Sequence, residues 1–145
     1  MKNLITLFLG IMLAVTGICQ NNPLWLRYPA ISPDGETILF TYKGDIYTIS
    51  SAGGDARPLT ISETYEFEPV WSHNGQQIAF ASDRYGNFDV FIMLASGGEA
   101  KRLTFHSTGE IPSTFTADDK AVLFSAVRQD VVTNNQFPMG LMSEL

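Results

Sequence analysis

A motif that returns after 40 and again after 44 residues constrains this chain more than any other feature. Residues Ile31–Gly35 (ISPDG) align with Trp71–Gly75 (WSHNG), and Phe115–Asp119 (FTADD) is a third, more divergent copy. Each copy is followed by a short apolar segment that ends in phenylalanine, at Phe40, Phe80 and Phe124. One such unit cannot bury its apolar faces alone, so the chain must fold by stacking its units against each other.

The first two copies share a longer series of landmarks. In each, a second predicted strand is followed by a glycine pair and then by a basic segment that ends in Leu-Thr. These are Asp45–Ile49, Gly53-Gly54 and Arg57–Thr60 in the first copy, and Asp89–Met93, Gly97-Gly98 and Arg102–Thr104 in the second. Neither glycine pair opens a helix, so both are expected to form hairpin turns. A period in the forties with several strands per unit is typical of β-propeller blades.

The chemistry of the turns and strands agrees with this interpretation. Pro33 presets φ, Asp34 can accept hydrogen bonds from nearby backbone, and Gly35 accepts a positive φ, so this segment suits a tight turn. Asp119 replaces the glycine in the third copy, where a less regular or more strained turn is expected. The segment Ile38–Phe40 is apolar on both faces, as expected for a strand between two neighbouring blades.

The repeats predict an all-β fold, namely a partial β-propeller with two complete four-stranded blades and part of a third, preceded by a signal-peptide helix. Because closed propellers need at least four blades, the chain is expected to be the amino-terminal piece of a larger protein. The predicted units are a signal peptide (1–19), a short linker (20–25), blade 1 (26–66), blade 2 (67–110) and an incomplete blade 3 (111–145).

The first 19 residues have the pattern of an export signal. Lys2 precedes an apolar run over residues 4–19, which has the size of a signal-peptide core. A membrane span needs about 20 apolar residues, and the neutral residues 20–23 do not form a basic stop-transfer cluster. The protein is therefore expected to be exported, to the periplasm or the extracellular space.

Cys19 has two interpretations. Gly17 and Cys19 are small residues that permit cleavage before Gln20, and the cysteine would then leave with the signal peptide. The alternative is a lipoprotein in which Cys19 is lipidated, although Thr16 and Ile18 depart from that motif. Cys19 is the single cysteine of the chain, so a disulfide framework is excluded in both cases.

The charge balance excludes general nucleic-acid binding. The chain has 9 basic and 15 acidic residues, a formal net charge of −6, and no basic patch that would offset repulsion from phosphates. It also lacks the Gly-x-Ser-x-Gly, Walker and His-Glu-x-x-His motifs. No catalytic, cofactor-binding or metal-binding residue is therefore assigned, and no cofactor is expected.

Several polar residues have a structural interpretation that outweighs a functional one. Asp83 and Arg84 lie at a strand end, where such residues hold turns and bridge to neighbouring blades more often than they bind ligands. Asp45 and Asp89 recur at equivalent positions. A residue copied in each unit indicates a requirement of the fold, because a single catalytic group has no reason to be repeated.

The tryptophans and histidines are the remaining candidates for binding a sugar or a metal ion. Trp25 and Trp71 are residue types that stack on sugar rings, but Trp71 occupies the position of Ile31 and is most simply a core residue. His73 lies within a turn and His106 within a loop. Neither has the spacing of a metal ligand, so both are expected at the surface.

The second copy carries the clearest family resemblance. Its segments PVWSHNG (69–75), IAFASDR (78–84), GNFDVF (86–91) and Gly97-Gly98 to RLT (102–104) resemble the propeller repeat of TolB and of tricorn-type proteases. The resemblance covers about residues 26 to 125. In TolB an α/β domain precedes the propeller, whereas here the first repeat starts soon after the predicted cleavage site, which favours the tricorn-like alternative.

This resemblance implies a non-catalytic role for the chain. The leading hypothesis is a propeller that gates peptide substrates for a tricorn-like serine peptidase, whose catalytic domain lies outside these residues. The alternatives are a TolB-like binding or scaffold propeller of the cell envelope, and the propeller of a dipeptidyl-peptidase-type hydrolase. The implied partners are a peptide or protein substrate and the rest of its own chain. Membrane contact is expected only through the signal peptide or a lipidated Cys19.

Overall fold

The computed structural model describes residues 25–128 and 142–144, which form three antiparallel sheets. No residue in these two ranges is helical. The predicted all-β fold is therefore confirmed, together with its two complete four-stranded blades and its partial third blade. The predicted signal peptide, with its helix and Cys19, lies outside the described residues.

Blades 1 and 2 are four-stranded sheets in which the strands follow one another in chain order. Each blade begins with two long hairpins and ends with a fourth strand of only two residues. Blade 1 consists of β1 (Arg27–Ile31), β2 (Thr37–Tyr42), β3 (Asp45–Ser50) and β4 (Arg57–Pro58). Blade 2 consists of β5 (Glu66–Trp71), β6 (Gln77–Ser82), β7 (Asp89–Leu94) and β8 (Lys101–Arg102).

Blade 3 is a three-stranded sheet in the described part of the chain. It consists of β9 (Glu110–Phe115), β10 (Val122–Arg128) and β11 (Met142–Glu144). Glu144 pairs with Ala126 in β10, just as Asp89 pairs with Ser82 in blade 2. The strand β11 therefore occupies the position of the third strand of a blade.

The turn after the first strand has the same hydrogen bond in all three blades. The backbone N–H of Gly35 donates to Ser32 at 2.9 Å, and the equivalent bonds at Gly75 and Asp119 are 3.0 and 2.8 Å long. Asp119 adopts a φ of +56°, close to the +70° of Gly75. The third turn keeps the regular hydrogen bond, and it is more strained than the other two, as expected, because an aspartate occupies the left-handed region.

The hydrophobic core lies between blades. Leu39 and Ile46 of blade 1 pack with the blade 2 residues Ile78, Phe80, Phe91 and Met93. A second cluster joins blade 2 to blade 3 through Ala79, Val90 and Phe115. A strand in the middle of such a stack is buried on both faces, which explains why β6 is apolar along almost its whole length.

The same backbone contact fixes each new blade on the previous one. The N–H of Glu66 donates to the carbonyl of Gly44 at 2.7 Å, and the N–H of Glu110 donates to Phe88 at 2.8 Å. Both contacts join the start of a first strand to the central hairpin of the preceding blade. The two junctions therefore share this backbone hydrogen bond.

Candidate functional site

The first strands of the three blades form a common wall. Strand β1 contacts β5, and β5 contacts β9, so these strands converge at one side of the stack. At one end of the wall lies an open depression of about 460 Å³. Its lining includes Ile31, Trp71, His73 and Thr114, so all three blades contribute to it through their first strands or the turns that follow.

A bulge interrupts this wall at the same place in blades 1 and 2. The pairing register shifts between Arg27 and Ala30 in β1, and between Phe67 and Val70 in β5. Each bulge contains a residue with positive φ, Tyr28 at +53° and Glu68 at +49°. Positive φ is uncommon for residues with a side chain, and bulges of this kind often reorient a side chain near a functional site.

Glu68 is a functional candidate that sequence reasoning missed. Its carboxylate is half-buried, and none of the hydrogen bonds or ion pairs within residues 25–128 involves it. Burial raises the pKa of Glu68 above its ordinary value. No sequence signal marks this residue, because proline follows it and normally favours an extended conformation in the residue before it.

A larger groove separates the edges of blades 1 and 2. It has a volume of about 770 Å³ and runs from the turn at Pro33 and Asp34 to the fourth strand, where Arg57 lines it. Gly75 and Trp71 form part of the opposite side. Ligand pockets commonly have volumes of about 300–1,000 Å³, so the groove is large enough for a few residues of a peptide.

The two tryptophans occupy different environments. Trp71 is half-buried, packs against the core between blades 1 and 2, and donates from Nε1 to the carbonyl of Ala30 at 3.1 Å. It therefore packs on the core, as expected, and also joins two blades. Trp25 is 70% exposed, and the Arg27 guanidinium lies 4.9 Å from the centre of its ring.

His73 and His106 are both exposed, and each contacts a neighbouring polar side chain. The Nδ1 atom of His73 lies 3.0 Å from Oδ1 of Asp119, and the ring of His106 contacts the Thr108 hydroxyl at 2.9 Å. Among residues 25–128, no three His, Cys, Asp or Glu side chains are grouped closely enough to hold a metal ion. The described part of the chain also contains no helix long and apolar enough to span a membrane.

Asp83 and Arg84 both contact the start of the first strand of blade 2. Oδ1 of Asp83 accepts a hydrogen bond from the Tyr65 N–H at 2.7 Å, and Arg84 forms an ion pair with Glu66. Glu66 is fully buried. Burial raises its pKa, and hydrogen bonds from the Thr60 hydroxyl and the charge of Arg84 oppose that rise. These contacts join β5 to the β6–β7 hairpin and the connection before it, so Arg84 is engaged within its own blade.

Asp45 contacts the segment that follows the fourth strand of blade 1, and Asp89 contacts the fourth strand of blade 2. Oδ1 of Asp45 accepts from the Ser62 N–H at 2.9 Å, and the buried Asp89 carboxylate lies 2.7 Å from the Arg102 guanidinium. Arg102 also lies between the rings of Tyr85 and Phe105. Such contacts are consistent with the structural role expected of both aspartates.

Arg57 and Arg102 are not equivalent, because Pro58 separates Arg57 from the Leu-Thr pair, whereas Arg102 directly precedes it. In the sheet, Arg57 pairs with Thr48, and its counterpart in blade 2 is Lys101, which pairs with Ile92. Pro58 takes the position of Arg102. Arg57 therefore lacks an equivalent of the Asp89 contact and remains exposed.

The sequence matches a known family over most of its length. The tricorn protease N-terminal beta propeller domain matches residues 23–142. Dipeptidyl-peptidase 5 from Porphyromonas gingivalis is 40% identical over 106 residues, which cover 66% of this chain and 16% of that protein. The chain thus spans about one sixth of the length of this relative.

Solved structures with the same fold include a putative TolB from Agrobacterium tumefaciens. It is 25% identical, with a TM-score of 0.67, and the match covers 77% of this chain and 42% of the other. The tricorn protease matches with a TM-score of 0.61 at 13% identity, over 81% of this chain and 12% of that one. The family match and the three stacked sheets lead to one conclusion: this chain belongs to the tricorn protease N-terminal beta propeller domain family.

Proposed function

We propose that this chain is the non-catalytic propeller segment of an exported peptidase. The wall formed by its first strands guides peptide substrates to a catalytic domain outside these residues. The observation that carries the proposal is the 40% identity to dipeptidyl-peptidase 5. That relative makes a dipeptidyl-peptidase-type catalytic domain the preferred version. A tricorn-like serine peptidase is the second version, supported by the family match.

The wall of first strands suits a guiding role. It presents the exposed side chains of Ile31 and Thr114 and the half-buried carboxylate of Glu68. Its bulges hold Tyr28 and Glu68 in a conformation that the backbone disfavours, so their placement is maintained by the surrounding sheet. A rigid wall with fixed side chains can select peptides by size and charge without taking part in the reaction.

A binding propeller without enzymatic activity is the competing proposal. It is supported by the 25% identity and TM-score of 0.67 with the putative TolB. The two proposals differ in whether the full-length protein hydrolyses peptides, and in whether the wall affects that hydrolysis.

The experiment uses the natural full-length protein and two lengths of substrate. Thr114→Trp places a bulky side chain at the depression in the wall, and Ser107→Trp is the matched control in an exposed loop. We expect Thr114→Trp to lower kcat/KM for peptides of about ten residues much more than for a dipeptide anilide, while Ser107→Trp changes neither. Equal effects on both substrates would contradict guidance by the wall, and a full-length protein without peptidase activity would support the binding propeller.

Export has a separate test. The mass of the mature amino terminus distinguishes the two interpretations of Cys19, because cleavage before Gln20 and acylation of Cys19 give different masses. An intact Met1 on protein from the native cell would contradict export by either route.

A further inference from the structure

The two junctions between blades differ in the turns that follow the first strands. At the junction of blades 2 and 3, the Asp119 carboxylate reaches across to the turn of blade 2. Its Oδ1 accepts from the His73 N–H at 2.7 Å, and its Oδ2 accepts from the Asn74 N–H at 2.9 Å. A carboxylate therefore occupies a pair of backbone donors at this junction.

At the junction of blades 1 and 2, the equivalent carboxylate is missing. Gly75 takes the place of Asp119, and the two donor positions are occupied by Pro33, which has no N–H, and Asp34. The Asp34 N–H donates to the carboxylate of its own residue. A Cβ atom added to Gly75 would lie 3.7 Å from Cδ of Pro33, an ordinary contact distance, so the position has room for a side chain.

The groove of about 770 Å³ opens at this position and contains one exposed cation. Arg57 lines the groove from β4, and none of the ion pairs within residues 25–128 includes it. A guanidinium can form two parallel hydrogen bonds to one carboxylate.

We propose that the groove between blades 1 and 2 binds a peptide through its carboxylate, with the Arg57 guanidinium as the charged donor. The carboxylate belongs either to the carboxyl terminus of the peptide or to an acidic side chain. At the next junction, Asp119 shows that a carboxylate can lie between two blades. The proposal goes beyond substrate guidance, because the groove lies between blades and the guiding wall is formed by the first strands.

The lining of the groove explains why a peptide suits it better than a more highly charged anion. Arg57 is the single basic residue of the lining, and the Asp34 carboxylate adds a negative charge. That carboxylate already accepts from the Ser32 hydroxyl, the Glu36 N–H and the N–H of its own residue, which lower its pKa. Two opposed charges disfavour a multiply charged phosphate, whereas the apolar surface of Leu59, Pro58 and Trp71 can cover the body of a peptide.

The test measures peptide binding to the natural full-length protein by calorimetry at low ionic strength. The probes are acetyl-tetraalanine with a free carboxyl terminus, the same peptide amidated, and an amidated version with aspartate as its third residue. We expect the first, the third or both to bind, and the neutral peptide to bind at least about tenfold more weakly, because hydrogen bonds to charged groups are the stronger ones. Mass spectrometry confirms that the peptides remain intact.

Two pairs of variants locate the site. Arg57→Gln is expected to weaken binding of the carboxylate peptides about tenfold, whereas Lys101→Gln, at the matched position of blade 2, is expected to leave it unchanged. Gly75→Asp supplies the carboxylate from within the chain and should block binding. Gly35→Asp is its control, because Gly35 has a similar positive φ of +77° but no atom within 4 Å of an added Cβ.

Three results would overturn the proposal. They are equal binding of the neutral and charged peptides, no detectable binding of either charged peptide at millimolar concentration, and equal effects of Arg57→Gln and Lys101→Gln. Thermal unfolding of each variant identifies any that fail to fold. The Arg57 and Lys101 pair is decisive by itself if Gly75→Asp is unstable, since both residues are exposed strand positions. Peptidase activity is recorded separately, so a failure of the groove is distinguishable from a failure of the proposed function.

Discussion

Asp119 shows how a single side chain joins two repeats. A residue with a Cβ atom in the left-handed region costs about 1–2 kcal/mol relative to glycine, although aspartate tolerates it better than most. The carboxylate of Asp119 offsets this cost, because it accepts hydrogen bonds from two backbone N–H groups and contacts the His73 ring. Burial by itself raises the pKa of Asp119, but these donors outweigh it and hold the pKa below its ordinary value of 3.8.

Asp119→Asn is expected to lower the melting temperature of the full-length protein at neutral pH. The folded pKa of Asp119 is lower than the unfolded one, so its contribution is complete above the ordinary value of 3.8 and is lost as the pH falls through the folded pKa. The difference in melting temperature between wild type and variant should therefore shrink in acid. Asp55→Asn, in an exposed loop, is the control. A difference that does not change with pH would contradict the role of the charge.

At the scale of elements, an ion pair fixes the start of β5 on the β6–β7 hairpin. Glu66 is fully buried, and Arg84 pairs with it while its guanidinium lies 4.5 Å from the centre of the Phe91 ring. Breaking a buried pair by removing one partner is more harmful than removing both, because an isolated buried charge has lost its compensation. The pair therefore makes the two elements interdependent.

Arg84→Met is expected to destabilise the fold by about 3 kcal/mol or more at neutral pH, measured by chemical denaturation. Burial already raises the pKa of Glu66 above its ordinary value of 4.5, so its ionisation reduces stability as the pH rises from that value through the folded pKa. Without Arg84, ionisation of Glu66 should reduce stability further. The free energy of unfolding of the variant should therefore be closest to that of the wild type in mild acid.

Two further variants test whether the buried charge causes this loss. The double variant Arg84→Met/Glu66→Gln should recover much of the stability, because it leaves no ionised carboxyl in the buried position. Arg57→Met removes an exposed arginine and should change stability by less than about 0.5 kcal/mol. A double variant as unstable as Arg84→Met alone would show that lost packing, and not the buried charge, is responsible.

At the scale of the whole molecule, the outer face of blade 1 matches a face that is buried elsewhere. In blade 2, Phe80 pairs with Phe91, their rings stack 5.9 Å apart, and both are covered by blade 1. In blade 1, Phe40 pairs with Tyr47 and their rings stack 5.7 Å apart, but both remain half-exposed. This face therefore has the chemistry of a surface that receives another blade.

Residues 1–145 expressed alone are expected to self-associate through this face and through exposed strand edges. Size-exclusion chromatography with light scattering measures the mass of the species. Phe40→Glu should shift the population towards monomer, and Tyr85→Glu, on an exposed part of blade 2, should not. A monomeric wild-type species that melts cooperatively would contradict this prediction.

The sequence by itself determined the repeat, the strands and most of the turns, because these depend on local patterns. Turn residues at Pro33–Gly35 and apolar runs such as Ile38–Phe40 carry their structural meaning within a few positions. The interval of 40 to 44 residues then predicts the blades, since equivalent segments take equivalent places.

Only the tertiary structure decided which side chains meet across blades. Asp119 and His73 are 46 residues apart, and their contact depends on how one blade is placed on the next. The strained bulge at Glu68 also arises from the pairing of β5 with β6, and the sequence around Glu68 does not indicate it. The groove between blades 1 and 2 has the same origin, because it is a gap between packed units and belongs to neither of them alone.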